Sequence, residues 1–153
     1  NNFKSKNKKN KFKSISIRLP GVVGLGSHGN FISETAKRII ENKKITASNP
    51  NSSFNNIVFV NSLSKFILKI IKSKQKKINF VNLASSQTMK IKDVINFLFL
   101  KFKKKNKVVW RKEKSNSFII NFDKAKKIGY ISLTVKQSLN NYITELKNKN
   151  IIT

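Results

Sequence analysis

Short apolar segments of strand length alternate along this chain with longer segments whose apolar residues recur three and four apart. That alternation confines it to an α/β architecture, since a helix between two strands carries the chain back and lays the strands parallel. Ser14-Ile15-Ser16-Ile17-Arg18-Leu19 alternates as a strand, Pro20–Gly29 is a Gly-rich turn, and Phe31, Ile32, Ala36, Ile39 and Ile40 share one face of a helix over about 30–43. Ile45-Thr46-Ala47 reads as a short strand and 49–52 as a turn. Ile57–Val60 is a buried-type strand, after which Asn61 can cap a helix with Leu63, Phe66, Ile67, Ile70 and Ile71 inward. A strand over Ile78–Leu83 follows. Next come a helix over about 91–103 with Val94, Ile95, Leu98 and Phe102 on one side, a strand over Val108–Trp110 and a polar loop over 111–117. Asp123 can cap a short helix through Ile128, closed by Gly129 in the left-handed position. Thr134 and Gln137 match a capping box for a last helix with Val135, Leu139, Tyr142 and Leu146 inward. Residues 1–13, mostly Lys, Asn and Ser, form a basic flexible arm or loop, and 14–153 form one folded unit.

The formal net charge is +27. Clustered Lys and Arg attract phosphates, so a basic nucleic-acid-binding module is one reading. Yet the basic residues other than Arg18, Arg38 and Arg111 are all Lys, in a chain rich in Asn, Ile and Phe and poor in Gly and Pro. AT-rich coding DNA produces that composition, and dedicated readers of nucleic acid favour Arg. Nonspecific polyanion binding at low salt is expected. Without Cys, and with His28 the only His, neither a thiolate nor a multi-histidine metal site can form, so no metal is expected. No apolar run approaches the ~18 residues of a membrane helix, and no signal-peptide core follows the basic start, so a cytoplasmic protein that avoids membranes is expected. The six acidic residues form no close carboxylate pair, and no catalytic residue is assigned. A chain that starts with Asn1 is expected to be a processed product or a fragment.

Gly24-Leu25-Gly26-Ser27-His28-Gly29 matches Gly-x-Gly-x-x-Gly between a strand and a helix, the setting of a dinucleotide fingerprint. The ribose-binding carboxylate expected about 20 residues on is missing, since that region reads Ile45-Thr46-Ala47-Ser48-Asn49. Pro20-Gly21 also interrupts the preceding strand. Three readings stay open: a small stand-alone dinucleotide-binding protein using Gly24–Gly29, a loop that only turns the chain, and a loop that holds the phosphates of a different ligand at the helix N-terminus.

Five segments in order resemble the C-terminal half of the extended short-chain dehydrogenase/reductase family, the NAD-dependent epimerases and dehydratases of sugar nucleotides. They are Ile17-Arg18-Leu19-Pro20-Gly21-Val22-Val23-Gly24-Leu25-Gly26, Asn30-Phe31-Ile32, Asn55 to Leu63, Val81-Asn82-Leu83-Ala84-Ser85, and Ala125-Lys126-Lys127-Ile128-Gly129-Tyr130. The third resembles the family's Arg-Asp-x-x-x-Val-x-Asp, but Asn55 stands where the phosphate-contacting Arg would be and Ser62 where the last Asp would be. The Arg-Leu-Pro-Gly form of the first is most similar to members from bacterial surface-polysaccharide pathways.

The resemblance implies a partial Rossmann-like fold, the last parallel strand or strands plus a small α/β substrate-binding subdomain. It implies a nucleoside-diphosphate sugar as ligand, with Asn30, Phe31, Ser27, His28, Asn55 and Arg111 as substrate-binding residues. NAD or NADP would be bound mostly by a missing N-terminal half, with Pro20 and Gly21 at the cofactor's rim. The family's catalytic Tyr-x-x-x-Lys is not in this chain, because Tyr130 is followed four residues on by Thr134 and Tyr142 by Leu146. The chain alone is therefore expected to be inactive, with the catalytic set upstream, and the resemblance is compatible with a homodimer of the parent enzyme.

Overall fold

The computed structural model describes residues 15–73, 80–112 and 117–151. The arm 1–13, the start of the strand expected at Ile78 and the middle of the loop after Arg111 lie outside the described residues. In chain order the elements are β1 (Ser16–Arg18), β2 (Gly21–Val23), α1 (Phe31–Ile40), β3 (Ile45–Ala47), β4 (Ser53–Phe54), β5 (Ile57–Phe59), α2 (Val60–Lys72), β6 (Phe80–Asn82), β7 (Met89–Lys90), α3 (Ile91–Lys101), β8 (Val108–Trp110), α4 (Asp123–Lys127) and α5 (Val135–Asn148). Among the described residues the strands pair two by two. β1–β6, β2–β5 and β3–β8 are parallel, and β4–β7 is antiparallel. This is the expected α/β class.

β5 shows why the sheet is buried on both faces. Successive side chains of a strand point to opposite sides. Ile57 and Phe59 join the cluster built with α1, α3 and α5, while Val58 joins Phe66, Val81 and Leu83 on the other side. Parallel strands covered by helices on each face read as unbroken apolar runs, as this one does. α5 lays Val135, Leu139, Tyr142, Ile143 and Leu146 into the first cluster, with Ser138 fully buried where the helix nears the sheet. Ser138 Oγ lies 2.9 Å from Ser85 Oγ, and Ser85 Oγ donates to Ile57 O at 2.9 Å, so both buried hydroxyls are satisfied.

Several local expectations are corrected. The turn does not begin at Pro20, because Gly21–Val23 is a strand. Pro20, lacking an N–H, marks the point where the chain leaves the β6 pairing and enters the β5 pairing. Val60 opens α2 instead of ending β5, so Asn61 lies inside the helix and Phe59 occupies the cap position with no side-chain bond. Of the five residues expected inward on α2, Phe66 is buried and Leu63 and Ile70 are half-buried, whereas Ile67 and Ile71 are exposed. Asp123 is not the cap of α4; the Asn121 carboxamide oxygen accepts from Asp123 N at 2.9 Å. β4 and β7, two residues each, are too short to show periodicity.

Two terminators come out as read. Gly129 follows α4 with φ +91°, and Thr134 and Gln137 form a reciprocal capping box at α5.

Tyr130 docks the α4 region onto β6. Its hydroxyl donates to Ala84 O at 3.2 Å, and its ring stands edge-on to Phe66 and Phe122. Burial pushes its pKa up to about 12. A phenol whose folded value exceeds the unfolded value of about 10 contributes stability that is complete below pH ~10 and is lost as pH rises toward the folded value. Tyr130→Phe should therefore flatten the fall in melting temperature between pH ~10 and ~12, since lysine titration is common to both proteins. Parallel curves for the two proteins would contradict this.

Candidate functional site

The Gly-rich loop, residues 24–29, lies at the C-terminal end of β2, the end where α/β sheets take their ligands. Ser27 N donates to Gly24 O at 3.0 Å, closing a turn, and Gly26 and Gly29 adopt φ +79° and +67°, which glycine reaches without strain. Gly24 is glycine for a different reason. A Cβ there would overlap Val60 Cγ1 at the start of α2.

The loop's N–H groups are in part already taken. Leu25 N donates to Glu145 Oε2 at 2.8 Å, across 120 residues of sequence, and Gly29 N donates to Glu34 Oε1 at 3.3 Å. At the start of α1 the Asn30 side chain accepts from Ile32 N and Ser33 N at 3.1 and 3.0 Å, and Ser33 Oγ accepts from Asn30 N at 3.3 Å. Asn30 Nδ2 donates to Val22 O at 3.1 Å, tying the cap to β2. The local sequence dictates this arrangement, because Asn is among the best caps and Ser three residues on can reciprocate.

Ser27, His28 and Val60 line a cavity of about 300 Å3 together with Val22–Gly26. Ser27 Oγ is buried with no hydrogen-bond partner. The Tyr142 hydroxyl lies beside it. Burial first, then the Glu34 charge, raises the Tyr142 pKa, while Ser27 opposes the rise. The exposed His28 ring has Nδ1 3.2 Å from Gly26 O. Phe31 is partly exposed, its ring centroid 5.6 Å from that of Phe54.

Pro20 and Gly21 are half-buried. A Cβ on Gly21 would stand 3.2 Å from Asn30 Cβ and 3.4 Å from Asn56 O. Asn30 thus lies beside β2, against Gly21 at the strand's start and just after the Ser27–His28 turn beyond its end, with Phe31 leading into α1. Asn55 faces elsewhere. It is buried, Nδ2 donates to Ile120 O at 2.9 Å and Oδ1 accepts from Ile120 N at 3.0 Å. It borders a second cavity of about 320 Å3 with Ser85–Thr88 and 119–123. Arg111 follows β8, its side chain exposed and its N donating to Ala47 O at 2.8 Å.

Sequence reasoning missed Glu145 and Tyr142 as neighbours of the loop and Asn56 as a neighbour of Gly21. Asn56 Oδ1 is buried without a partner, one residue past the Asn55 that was singled out. Among the described residues no cluster of His, Asp and Glu could hold a metal ion, and no helix is long and apolar enough to cross a membrane.

No protein-family model and no curated protein sequence matches the chain. Solved structures do. UDP-glucose 4-epimerase from Thermotoga maritima, solved with UDP-glucose, is 14% identical with a TM-score of 0.69 over 89% of this chain and 46% of its own. dTDP-glucose 4,6-dehydratase from Bacillus anthracis, in complex with NAD, is 14% identical with a TM-score of 0.70 over 90% and 45%. UDP-glucuronic acid 4-epimerase from Bacillus cereus, in complex with UDP-glucuronic acid and NAD, is 15% identical with a TM-score of 0.70 over 87% and 45%. The chain spans a little under half the length of these enzymes. Over that span it carries the Rossmann-like fold of the sugar-nucleotide epimerases and dehydratases, the extended short-chain dehydrogenase/reductase fold.

Proposed function

We propose that this chain is the substrate-binding portion of an NAD(P)-dependent sugar-nucleotide epimerase, dehydratase or reductase that serves surface-polysaccharide synthesis. A complementary N-terminal half would supply the cofactor loop and the catalytic Tyr and Lys. The observation that carries the reading is the likeness, over about nine-tenths of the chain, to enzymes solved with UDP-sugars and NAD. It is supported by the cavity at the C-terminal end of β2, which Ser27 and His28 line.

Because Glu145 and Glu34 occupy two loop N–H groups, contact with a sugar nucleotide falls to side chains. Ser27 donates its hydroxyl, His28 offers its ring, Phe31 packs its exposed edge and Arg111 brings charge. Asn30 positions these groups by fixing the start of α1 to β2. In this proposal Asn55 reaches substrate only if it gives up Ile120, and without charge it binds phosphate more weakly than an Arg. The same two carboxylates crowd the loop against a dinucleotide's pyrophosphate, so in this proposal NAD or NADP belongs to the complementary half, with Pro20 and Gly21 at its rim. That argues against a stand-alone dinucleotide-binding protein.

Thermal denaturation with added ligands tests this. Millimolar UDP-glucose should raise the melting temperature by a few degrees, as mass action requires for a ligand of the folded state, while NAD alone should not. The chain by itself should show no turnover. Stabilisation by NAD without any by UDP-sugars would reverse the reading in favour of a dinucleotide site.

A further inference from the structure

The Lys-rich composition hides one concentrated site. α1 and α3 pack side by side, and each leads through a short turn into β3 or β8, which pair parallel. Both helices end in the same hydrogen-bonded motif. Asn42 N donates to Ile39 O and Lys43 N to Arg38 O, while Lys103 N donates to Leu100 O and Lys104 N to Phe99 O. Ile45 N, donating to Lys107 O at 2.9 Å, joins the two turns.

The twin ends enclose a cavity of about 260 Å3 floored by Ile39 and Phe99. Lys43, Lys103, Lys104, Lys105 and Lys107 line it. The length of α1, roughly 15 Å, separates it from the Gly-rich loop.

We infer that this cavity binds a condensed phosphate, two or more linked phosphoryl groups, whether as a free anion or on a nucleotide. No acidic side chain lines it, although Glu41 Oε2 pairs with Lys43 at 2.8 Å. Each helix C-terminus also contributes about half a negative charge. Five lysines, less Glu41 and the two helix ends, leave a surplus of about three positive charges. That exceeds the roughly 1.5 to 2 negative charges of a single phosphate group. The buried Ile39 and Phe99 floor keeps water off one side, which strengthens charge interactions.

The backbone supplies a second, independent observation. Lys103 sits in the left-handed region at φ +53°. The other non-Gly residues there, among the described residues, are Asn42, Asn49, Gln87 and Asn150, all uncharged amides. Glycine would relieve the strain at Lys103, and a strained residue that keeps its charge points to a use for that charge. The inference does not depend on the proposed substrate site.

Isothermal titration calorimetry of the full chain at about 150 mM salt tests it, with pyrophosphate, orthophosphate, UDP and a short single-stranded oligonucleotide as probes. Pyrophosphate should bind about tenfold tighter than orthophosphate. Lys104→Ser with Lys105→Ser should weaken pyrophosphate about tenfold, while Lys65→Ser with Lys136→Ser, equal in charge but on α2 and α5, should change it less than about twofold. Lys103→Gly should raise the melting temperature and still weaken pyrophosphate, a combination a merely structural role would not give. UDP matching pyrophosphate identifies a free anion as the ligand, and tighter UDP lost in the Lys104/Lys105 variant identifies a nucleotide; both support the site. Equal losses in the two double variants, or equal binding of pyrophosphate and orthophosphate, would overturn it. So would an oligonucleotide that binds tighter than pyrophosphate and is lost in the Lys104/Lys105 variant, which would mark a nucleic-acid contact instead.

Discussion

Replacing Asn55 by Ala should lower the unfolding free energy by about 2–4 kcal/mol, read as a shifted midpoint in urea with an unchanged slope. Asn55 is the hub of a non-local junction. Its side chain pairs with both backbone groups of Ile120, and its own carbonyl accepts from Ser85 N at 3.1 Å and Ile57 N at 2.8 Å. Through its carboxamide and its backbone carbonyl together, this one residue joins β5, the end of β6 and the segment that leads into α4. Ala removes both side-chain bonds and leaves a half-buried N–H and C=O to find other partners, a cost set by the unmet groups more than by the bonds themselves. Asn55→Asp should also destabilise, because a carboxylate keeps the bond from Ile120 N but faces Ile120 O without a proton. That loss should shrink as pH falls and the carboxyl becomes a donor. An Asn55→Ala protein within about 0.5 kcal/mol of the parent would mean that the Ile120 contact is incidental. Asn55 would then be free to serve a ligand, as its place in the sequence resemblance implies.

Asn55 also shows where a sequence stops being legible. Its neighbourhood is a strand followed by a helix, and the pattern of Ile57, Val58 and Phe59 declares the strand. What its side chain does depends on Ile120, 65 residues away, and no periodicity carries that information. Elements ruled by nearby residues came through well. Thr134 with Gln137, and Gly129 after α4, are local solutions to unpaired backbone groups, and the structure contains them as read. α2 failed in a telling way. Its five apolar residues do recur on one face, but periodicity gives a face and not its depth of burial, and Ile67 and Ile71 are exposed. The glycine-rich turn is legible as a turn, but its surroundings are not. Its spacing announces an anion site, yet the carboxylates of Glu145 and Glu34 lie against its N–H groups. Glu34 is close enough in sequence to have been considered. Glu145 is brought in only by the packing of α5 on β2 and β5. Four of the lysines of the α1–α3 cavity, Lys103, Lys104, Lys105 and Lys107, form a run visible in the sequence, but Lys43 and the apolar floor join them only because two helices end side by side.

The turn also allows a sharp test of what its first glycine is for. A dinucleotide fingerprint needs glycine so that a ligand's pyrophosphate can approach the backbone. Here the space beside Gly24 is filled from within: a Cβ would overlap Val60 Cγ1 and stand 3.1 Å from Val60 Cβ and 3.5 Å from Glu145 Oε2. Val60 is β-branched and sits in the first turn of α2, so it has little rotamer freedom with which to yield. Gly24→Ala should therefore cost about 1–3 kcal/mol by overpacking, with no ligand present. Trimming the obstacle should restore much of that loss: in a Val60→Ala background the added cost of Gly24→Ala should fall by at least about half, a coupling that a double-mutant cycle in urea would read directly. If the two substitutions are additive, the crowding lies elsewhere. If Gly24→Ala leaves stability untouched but abolishes stabilisation by a nucleotide, the glycine is reserved for a ligand's approach and the loop is an anion seat after all. The coupled outcome makes Gly24 a packing residue that lets α2 start hard against the end of β2, and that close approach sets the width of the cavity which Ser27 and His28 line.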